Sequence, residues 1–368
     1  MRYALPLAAL VAAFLALAYI ALDEEDAPRR ARGPAATTGA GAATPKPPAR
    51  RPRLPLRRAA GRLVVLRFNG PSLPDYVRRS LRAGRSTGVI LFKDNVVSPA
   101  QLRALTAAVR RAGGRRALVM TDQEGGEVRI VPFAGPERSP SAQAAAGAVR
   151  ADSRAAAREL RALGVGITLA PVADLAAPGS ALRGRGFGND PAGAARGIRQ
   201  AVRGFTEGGV LPTLKHFPGL GTATANTDDA QVSVAGRPPL DAFAAGIDAG
   251  APLVMLSHAA YPDLDPSGRI ASQSRAIATT LLRGELGFDG VAITDSMEAE
   301  AVISRARVDV AAERAVRAGA DLILTTGQGS SLPVYRRLLR SARRSPAFAA
   351  RVREAAARVD RLRRRVAG

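Results

Sequence analysis

The chain has 368 residues, of which 46% are hydrophobic, so it can bury one large core or two ordinary ones. It contains no cysteine and two histidines, which excludes disulfides and thiolate chemistry and argues against a histidine-rich zinc site. The formal net charge is +23, but most of it lies towards the two ends and aromatic residues make up 4%, so we do not expect a nucleic-acid partner.

Residues 1–26 have the pattern of a signal peptide or transmembrane anchor. Residues 3–22 carry no charge, and a helix of that length spans roughly 30 Å of hydrocarbon. Acidic residues follow at 23–26, so we expect Arg2 to stay inside and the rest of the chain to be exported. We favour an uncleaved anchor over a cleaved signal; both place the protein outside the cytoplasm, membrane-anchored or secreted in the cell envelope.

Residues 27–60 are rich in Ala, Pro, Gly and Thr, and they carry eight Arg and one Lys with no acid. This composition predicts a disordered or semi-extended linker, with the folded domain at 61–368. Residues 336–368 carry twelve Arg against Glu354 and Asp360. We interpret both arginine-rich segments as solvated surfaces; attraction to anionic polymers or lipid headgroups is the alternative.

From residue 61 onward, short apolar runs alternate with longer segments of helical period. The strand-like runs begin at residues 62, 88, 117, 166, 210, 252, 290 and 321. Helical segments between them include 99–112, 142–163, 191–207, 240–249, 274–286 and 306–318. This alternation predicts a single-domain (β/α)8 barrel of the TIM type, with a doubly wound open sheet as the alternative.

Polar residues follow five of these strands directly, and they favour a closed barrel. In a barrel, the C-terminal ends of the strands converge on one mouth, where such proteins carry their sites. Each residue alone could be a structural cap, but six at the same end indicate a site. They are Asp122, Asp174, Lys215, His216, His258 and Asp295.

The residue types at this mouth favour glycoside chemistry over redox or phosphoryl transfer. Asp295 ends a strand, so its carboxylate is held on a rigid element, although it could also cap the helix that follows. Lys215 and His216 suit sugar hydroxyls if the strand ends at Pro218. No phosphate loop or dinucleotide fingerprint follows the first strand, and we expect no metal or organic cofactor.

Seven motifs resemble, in the same order, the barrel domain of glycoside hydrolase family 3, and the resemblance covers roughly residues 61–368. They are GVILFKDN, TDQEGGEV, LAPVADL, RGFGNDP, KHFPGLG, MLSHAAYPDLD and LGFDGVAITDSM. The similarity is greatest to the single-domain β-N-acetylhexosaminidases of bacterial cell-wall turnover. It implies a retaining mechanism with a covalent glycosyl-enzyme intermediate.

The resemblance also implies roles for individual residues. Asp295 matches the family's nucleophile. The positions that hold the outermost sugar match Asp122, Arg185, Lys215 and His216. Asp174 is expected to support the site from nearby, and His258 is expected behind the substrate contacts or at the rim of the mouth.

Two positions depart from the family pattern. The family has a substrate-binding Arg eight residues after the Asp of DQEGG; here Ile130 stands there and Arg129 is its neighbour. In the N-acetylhexosaminidase branch, the loop after KHFPG carries an Asp and, two residues later, the His that serves as general acid/base. This chain has Asn226 and Asp228 at those positions, so the expected pair is absent.

We therefore predict an exo-acting retaining β-N-acetylhexosaminidase-like hydrolase of cell-wall-type glycans, with Asp228 as general acid/base and Asp229 as the alternative. A free Asp has a pKa near 3.9, and burial or a second carboxylate would raise it. A turn-forming loop is the structural alternative for these residues. A catalytically inactive, membrane-tethered glycan-binding barrel and a glycoside phosphorylase are the functional alternatives, although the retained Asp295 argues against a mere binding module.

Overall fold

The computed structural model describes residues 54–367, and their centre is a sheet of eight parallel strands. These strands are β1 Val64–Leu66, β2 Gly88–Leu91, β3 Leu118–Thr121, β6 Ile167–Thr168, β7 Thr213–Phe217, β8 Leu253–Leu256, β9 Val291–Ser296 and β10 Leu322–Thr325. A short antiparallel hairpin, β4 Gln123–Gly125 and β5 Val128–Arg129, follows β3. All eight predicted strands are present.

The sheet is a nearly closed cylinder. Its strand order is β6, β3, β2, β1, β10, β9, β8, β7, with every pairing parallel. Backbone bonds then join the two outermost strands, from Thr168 N to Leu211 O at 3.0 Å and from Ala173 N to Lys215 O at 2.7 Å. The predicted TIM-type (β/α)8 barrel is therefore confirmed, and the open doubly wound sheet was the wrong alternative.

Helices surround the barrel and connect the strands. They are α1 Leu56–Arg62, α2 Asp75–Arg82, α3 Pro99–Gly113, α4 Pro140–Ala145, α5 Val149–Ala162, α6 Pro191–Glu207, α7 Asp241–Asp248, α8 Glu300–Ile303, α9 Val308–Ala318, α10 Ser331–Arg344 and α11 Pro346–Ala367. Short 3-10 turns occur at Lys93–Asn95 and Ala271–Gln273, and a wider helix with π-type hydrogen bonds occurs at Ala276–Glu285.

Local signals set the helix ends. The helix predicted at 191–207 has those bounds because Asp190 accepts from Gly193 N at 2.7 Å and Pro191 occupies the first helical position. The single helix predicted at 142–163 is instead two helices, α4 and α5. Gly147 has a φ of +63°, a left-handed conformation that ends a helix, and the period-3.6 pattern does not reveal this break.

Side chains along the strands alternate between the barrel interior and the helix layer, as strand geometry requires. Met120 and Ile293 pack with other apolar side chains inside the barrel. Two residues further along the same strands come Asp122 and Asp295, so the interior face of the barrel continues into polar residues at the mouth. The opposite end is closed by α11, whose Leu362 packs in the interior cluster.

The folded region begins earlier than predicted, since α1 starts at Leu56, inside the expected linker at 27–60. Ala59 and Ala60 are fully buried, and Arg62 Nε contacts Asp360 Oδ1 on α11 at 2.7 Å, so α1 belongs to the barrel. The remainder of the predicted linker and the predicted anchor at 1–26 lie outside the described residues. Within residues 54–367, no helix has the length and hydropathy to cross a bilayer.

Candidate active site

Four charged side chains meet beside β3 and β7, and we call Asp122, Glu124, Arg185 and Lys215 the ion-pair cluster. Lys215 Nζ lies 2.6 Å from Asp122 Oδ1 and 2.6 Å from Glu124 Oε1. Arg185 holds Glu124 in two hydrogen bonds, from Nε to Oε2 at 2.9 Å and from Nη2 to Oε1 at 2.7 Å. The structure thus brings together three residues predicted to bind sugar and adds Glu124, which the sequence analysis missed.

Two members of the cluster are buried and two face the mouth. The side chains of Glu124 and Lys215 are 1% and 3% exposed, whereas those of Asp122 and Arg185 are 20% and 26% exposed. The Lys215 ammonium has three N–H donors, and the two carboxylates take two of them. The third donor and the exposed edges of Asp122 and Arg185 remain to bind substrate hydroxyls.

Opposite charges set the pKa values of the two buried members. Burial alone would raise the pKa of Glu124, but Lys215 and Arg185 outweigh it and lower this pKa to about 2. Burial would lower the pKa of Lys215, but Asp122 and Glu124 raise it instead. Mutual attraction therefore fixes Glu124 and Lys215 as a buried ion pair.

His216 is oriented by the buried Asp174. Asp174 Oδ2 lies 2.7 Å from His216 Nδ1 and accepts the His216 backbone N–H at 3.0 Å, while Oδ1 accepts Leu220 N at 2.6 Å. Because an ionised carboxylate only accepts, Nδ1 carries the ring proton. Nε2 then faces Asp295 Oδ2 at 3.9 Å. This geometry gives a physical basis to the supporting role predicted for Asp174.

Adjacent residues on a regular strand point to opposite faces, yet Lys215 and His216 both contact residues of the mouth. The register of β7 against β8 shifts between Leu214 and Phe217, so the alternation is interrupted at this point. The strand ends at Phe217, directly before Pro218, which is where the sequence predicted its end.

Asp295 lies at the end of β9 with a side chain that is 21% exposed. Its Oδ1 accepts the Ser296 backbone N–H at 2.7 Å, which leaves Oδ2 free to face the mouth. Burial would raise the pKa of Asp295, but His216, His258 and the Ser296 N–H together lower it. An anionic oxygen held on a strand end is suited to attack on a sugar carbon.

Glu298 steadies the turn that follows Asp295. The Thr326 backbone N–H and hydroxyl donate to Glu298 Oε2 at 2.6 and 3.0 Å, and the Ser296 hydroxyl contacts the Thr326 hydroxyl. Since the carboxylate only accepts, the Thr326 proton goes to Glu298 and the Ser296 proton goes to Thr326. Sequence reasoning did not find Glu298, because this role depends on a strand neighbour about 30 residues away.

The loop at 222–230 rests on the start of α8, the helix that follows β9 and Asp295. Glu300 N donates to Asp228 O, and Ala301 N donates to Thr227 O, both at 3.1 Å. Asn226 forms the turn: its Oδ1 accepts Asp228 N at 3.2 Å, and its Nδ2 donates to Asp228 Oδ2 at 3.4 Å. The turn-forming and catalytic interpretations of this loop are therefore compatible, because the turn aims the carboxyl group.

Asp228 is an exposed residue of this loop. Neighbouring protein still desolvates its carboxyl group, and this desolvation, together with the charges of Asp295 and Asp229, raises the pKa of Asp228 to about 6, although His216 and Asn226 oppose the rise. Asp229 itself is exposed, and its backbone N–H donates to Asn226 O at 3.1 Å. Asp228 can thus hold a proton beside an ionised Asp295.

Two further positions lie away from the exposed surface of the mouth. His258 is fully buried, which fits the alternative behind the substrate contacts and not the one at the rim; its Nδ1 contacts Ser272 Oγ at 2.8 Å, and burial lowers its pKa. Ile130 is 9% exposed and packs in the interior, so it cannot replace the family's Arg. Arg129 is half-buried in β5, opposite Gln123 in the hairpin register.

The comparisons with known proteins agree with this geometry. The family model described as "Glycosyl hydrolase family 3 N terminal domain" matches residues 57–362. A "Beta-hexosaminidase" of Xanthomonas oryzae pv. oryzae is 35% identical over 281 residues, covering 71% of this chain and 83% of the relative.

Solved structures show the same similarity. A glycoside hydrolase family 3 beta-N-acetylglucosaminidase from Paenibacillus sp. has a TM-score of 0.81 and 32% identity over 85% of this chain, which spans 63% of that protein. A Beta-N-acetylhexosaminidase from Beutenbergia cavernae has a TM-score of 0.76 and 33% identity, covering 84% of this chain and 98% of its own.

Proposed function

The chain belongs to glycosyl hydrolase family 3 and is a glycoside hydrolase, and on this premise we propose that it removes terminal β-N-acetylhexosaminyl residues with retention of configuration. In this proposal Asp295 is the nucleophile and Asp228 is the general acid/base. The ion-pair cluster and His216 bind the hydroxyls of the terminal sugar. The names of the related enzymes support an N-acetylhexosaminide as the substrate.

One observation carries the assignment of roles: two carboxyl groups in one mouth have pKa values shifted in opposite directions. The pKa of Asp295 is lowered and that of Asp228 is raised to about 6, in part by the charge of Asp295. Glycosidases need one ionised and one protonated carboxyl group, and environments that separate the two pKa values assign the roles.

In the first step, Asp295 Oδ2 bonds to the anomeric carbon while the bond to the leaving oxygen breaks, and Asp228 gives its proton to that oxygen. In the second step, the Asp228 carboxylate takes a proton from water, and the water oxygen displaces Asp295 from the anomeric carbon. Asp228 ends protonated and Asp295 ends ionised, as they began. Neither step needs a metal or an organic cofactor.

The charge around Asp228 explains how a carboxyl group takes the place of a histidine. Asn226 stands where the related enzymes carry an aspartate, so it can aim Asp228 by hydrogen bonds without adding a second negative charge. Desolvation and the negative charges of Asp295 and Asp229 raise the pKa of Asp228 to about 6. The site therefore replaces a histidine–aspartate pair by a carboxyl–amide pair.

We also propose that the enzyme works outside the cytoplasm on cell-wall-type glycans. The support is in the sequence alone: an uncharged run at residues 3–22, acidic residues at 23–26 and a basic Pro- and Ala-rich segment at 27–53.

Substrates with different leaving groups test the role of Asp228. We expect Asp228→Asn to lose on the order of 100-fold or more in kcat/KM on an N-acetylglucosamine disaccharide, the usual value of a general acid. Formation of the intermediate from an activated aryl N-acetylglucosaminide needs little acid help and should persist, as a burst of released phenol. Asp229→Asn is the matched control; an equal loss in it, or no loss in Asp228→Asn, would refute the assignment.

A fluorinated N-acetylglucosaminyl substrate with a good leaving group tests Asp295. We expect covalent labelling of the peptide that contains Asp295, detected by mass spectrometry, and no labelling of Asp295→Asn. Binding without labelling would indicate an inactive glycan-binding barrel instead. Turnover that requires added phosphate and yields a sugar phosphate would indicate a phosphorylase.

A further inference from the structure

The end of the barrel opposite the mouth carries a set of exposed arginines that we call the basic face. Its members come from four separate segments of the chain: α1, the end of α2 with the loop to β2, the loop from α3 to β3, and the end of α11. They are Arg57, Arg58, Arg82, Arg85, Arg115, Arg116, Arg364 and Arg365.

Contacts between these segments show that they form one surface. Arg62 on α1 contacts Asp360 on α11 at 2.7 Å, and Arg363 Nε donates to Arg116 O at 2.9 Å. The Arg58 side chain covers Gly84, since a Cβ atom there would lie 2.4 Å from Arg58 Nη1. The first three segments directly precede β1, β2 and β3, and the end of α11 packs beside them, so the surface lies at the N-terminal ends of these strands.

The charge of the basic face has no partner within the described part of the chain. None of the eight guanidinium groups donates a hydrogen bond or forms an ion pair there, whereas the neighbouring Arg62 and Arg363 share Asp360. Residues 56–62, 82–88, 111–118 and 361–366 contain no acid. The basic face therefore holds unbalanced positive charge that repels itself.

Helix stabilisation does not explain this arrangement. Arginines in the last turn of a helix favour its dipole, which accounts for Arg82, Arg364 and Arg365. Arg57 and Arg58 lie in the first turn of α1, where a positive charge opposes the dipole, and Arg85, Arg115 and Arg116 lie in loops. Five of the eight arginines are thus placed without benefit to any helix.

We propose that the basic face binds an anionic lipid surface and so points the active-site mouth away from the membrane. Arginine forks bind phosphate oxygens well, and each basic residue near an anionic bilayer adds roughly fivefold to partitioning. The described chain begins at Leu54, next to α1 on this face, and the sequence before it is basic with an uncharged run at 3–22. Lipid is therefore the anionic partner that this face is placed to meet.

Beside the basic face, Asp289 before β9 lies in a pocket together with Arg361 and Arg365, so this acid faces arginines of α11. The proposed orientation involves neither Asp295 nor Asp228, so it stands independently of the proposed catalytic roles.

The orientation of the barrel on a membrane can be tested with the full chain by energy transfer from a dye on one residue to labelled lipid. The chain has no cysteine, so Ala83→Cys beside the basic face and Val97→Cys in the loop after β2 each give one labelling site. We expect stronger transfer from residue 83 than from residue 97 on vesicles of phosphatidylcholine with phosphatidylglycerol. The difference should shrink in phosphatidylcholine alone and in about 0.5 M salt.

Two quadruple variants make the test specific. Replacing Arg115, Arg116, Arg364 and Arg365 by Gln should remove the difference between the dyes on the anionic vesicles. Replacing the exposed Arg196, Arg203, Arg336 and Arg340 on the outer helices by Gln removes the same charge and should change the orientation little. Equal losses in both variants, or equal transfer from both dyes, would overturn the proposal.

A soluble polyphosphate separates lipid from anionic wall polymer as the partner. If the basic-face variant loses polyphosphate binding but keeps the orientation on anionic vesicles, the lipid assignment is wrong. Loss of orientation on vesicles supports it. Unfolding temperatures of both variants should match that of the wild type, because these side chains make no contacts that hold the fold.

Discussion

The two sides of the active-site mouth use charge in opposite ways. On one side, the ion-pair cluster sits on strands, and Glu124 and Lys215 are almost fully buried and paired. On the other side, Asp228 lies on an exposed loop, near the anionic Asp295 and without a cationic side chain bonded to it. The cations bonded to Glu124 keep it ionised, whereas Asp228 has no bonded cation and can hold a proton. The comparison shows that the charges next to each carboxyl group decide whether it is ionised or protonated.

The largest expected effect comes from a substitution in the ion-pair cluster. Glu124→Ala leaves Lys215 and Arg185 with one carboxylate fewer in a buried site, and breaking a buried ion pair costs about 3–5 kcal/mol. Urea unfolding should show this loss, whereas Asp228→Asn should change the free energy of unfolding by less than about 0.5 kcal/mol. A small effect of Glu124→Ala would show that the two sides do not differ in this way.

The same loss should depend on pH. The folded protein lowers the pKa of Glu124 from 4.5 to about 2, so its contribution is complete above about pH 4.5 and is lost as the pH falls towards 2. The difference in unfolding free energy between wild type and Glu124→Ala should therefore narrow across that range. Asp94→Ala, which removes an exposed ion pair with Arg67, is the control and should cost at most about 1 kcal/mol.

The next largest effect concerns Asp228 and the dependence of activity on pH. If the acid form of Asp228 is required, kcat/KM on an N-acetylglucosamine disaccharide should fall about tenfold per pH unit above pH 6. In Asp228→Asn this falling limb of the pH profile should disappear, and kcat/KM should be low and independent of pH. A limb that persists in the variant would assign it to another group.

A smaller effect sharpens the role of Asn226. Asn226→Asp adds a negative charge beside Asp228 and removes an N–H donor to its carboxylate, so the limb near pH 6 should move up by about one unit. Asn226→Ala removes the same donor without the charge and should shift the limb less. The two pH profiles, measured with the same disaccharide, separate the effect of charge from that of the hydrogen bond.

The smallest effect tests how the loop is held. Glu300 is the first residue of α8, where proline is tolerated, and Ala299 before it has φ −57° and ψ 141°, which suits a residue preceding proline. Glu300→Pro deletes only the N–H that binds Asp228 O, so about 0.5–1.5 kcal/mol of docking is lost. We expect a two- to tenfold loss of kcat/KM on the disaccharide, and Glu300→Ala, which keeps the N–H, should show less.

The fold could be predicted from the sequence because its elements are periodic and locally bounded. Apolar runs marked all eight strands, and Asp190 with Pro191 fixed the start of α6. The predicted start of the domain was wrong because α1 is short and is held by packing against α11. The linker-like composition around α1 conceals this helix. The break at Gly147 was missed for a similar reason, since both halves share one helical pattern.

Site residues at the ends of strands could be predicted from the sequence. Residues whose role depends on contacts across the mouth could not. Asp122 and Glu124 are two residues apart, so alternation along the hairpin could have indicated Glu124. Glu298 acts through Thr326 on another strand, and no local pattern reveals that pairing. The position of Asp228 in the loop could be predicted from the sequence. Its raised pKa could not, because it depends on burial and on Asp295, which the closed barrel brings near.

Helix α11 has a consequence for how the barrel is made. Val359 and Leu362 complete the packing inside the cylinder, and β1 is paired with β10, whose residues are synthesised more than 250 positions later. An emerging chain therefore carries strands whose apolar faces and edges have no partners until its last helices are released. Parallel pairings of such long sequence separation form slowly. A chaperone that shields the early strands during translation should raise the yield of soluble enzyme, and a stop codon before residue 346 should abolish it.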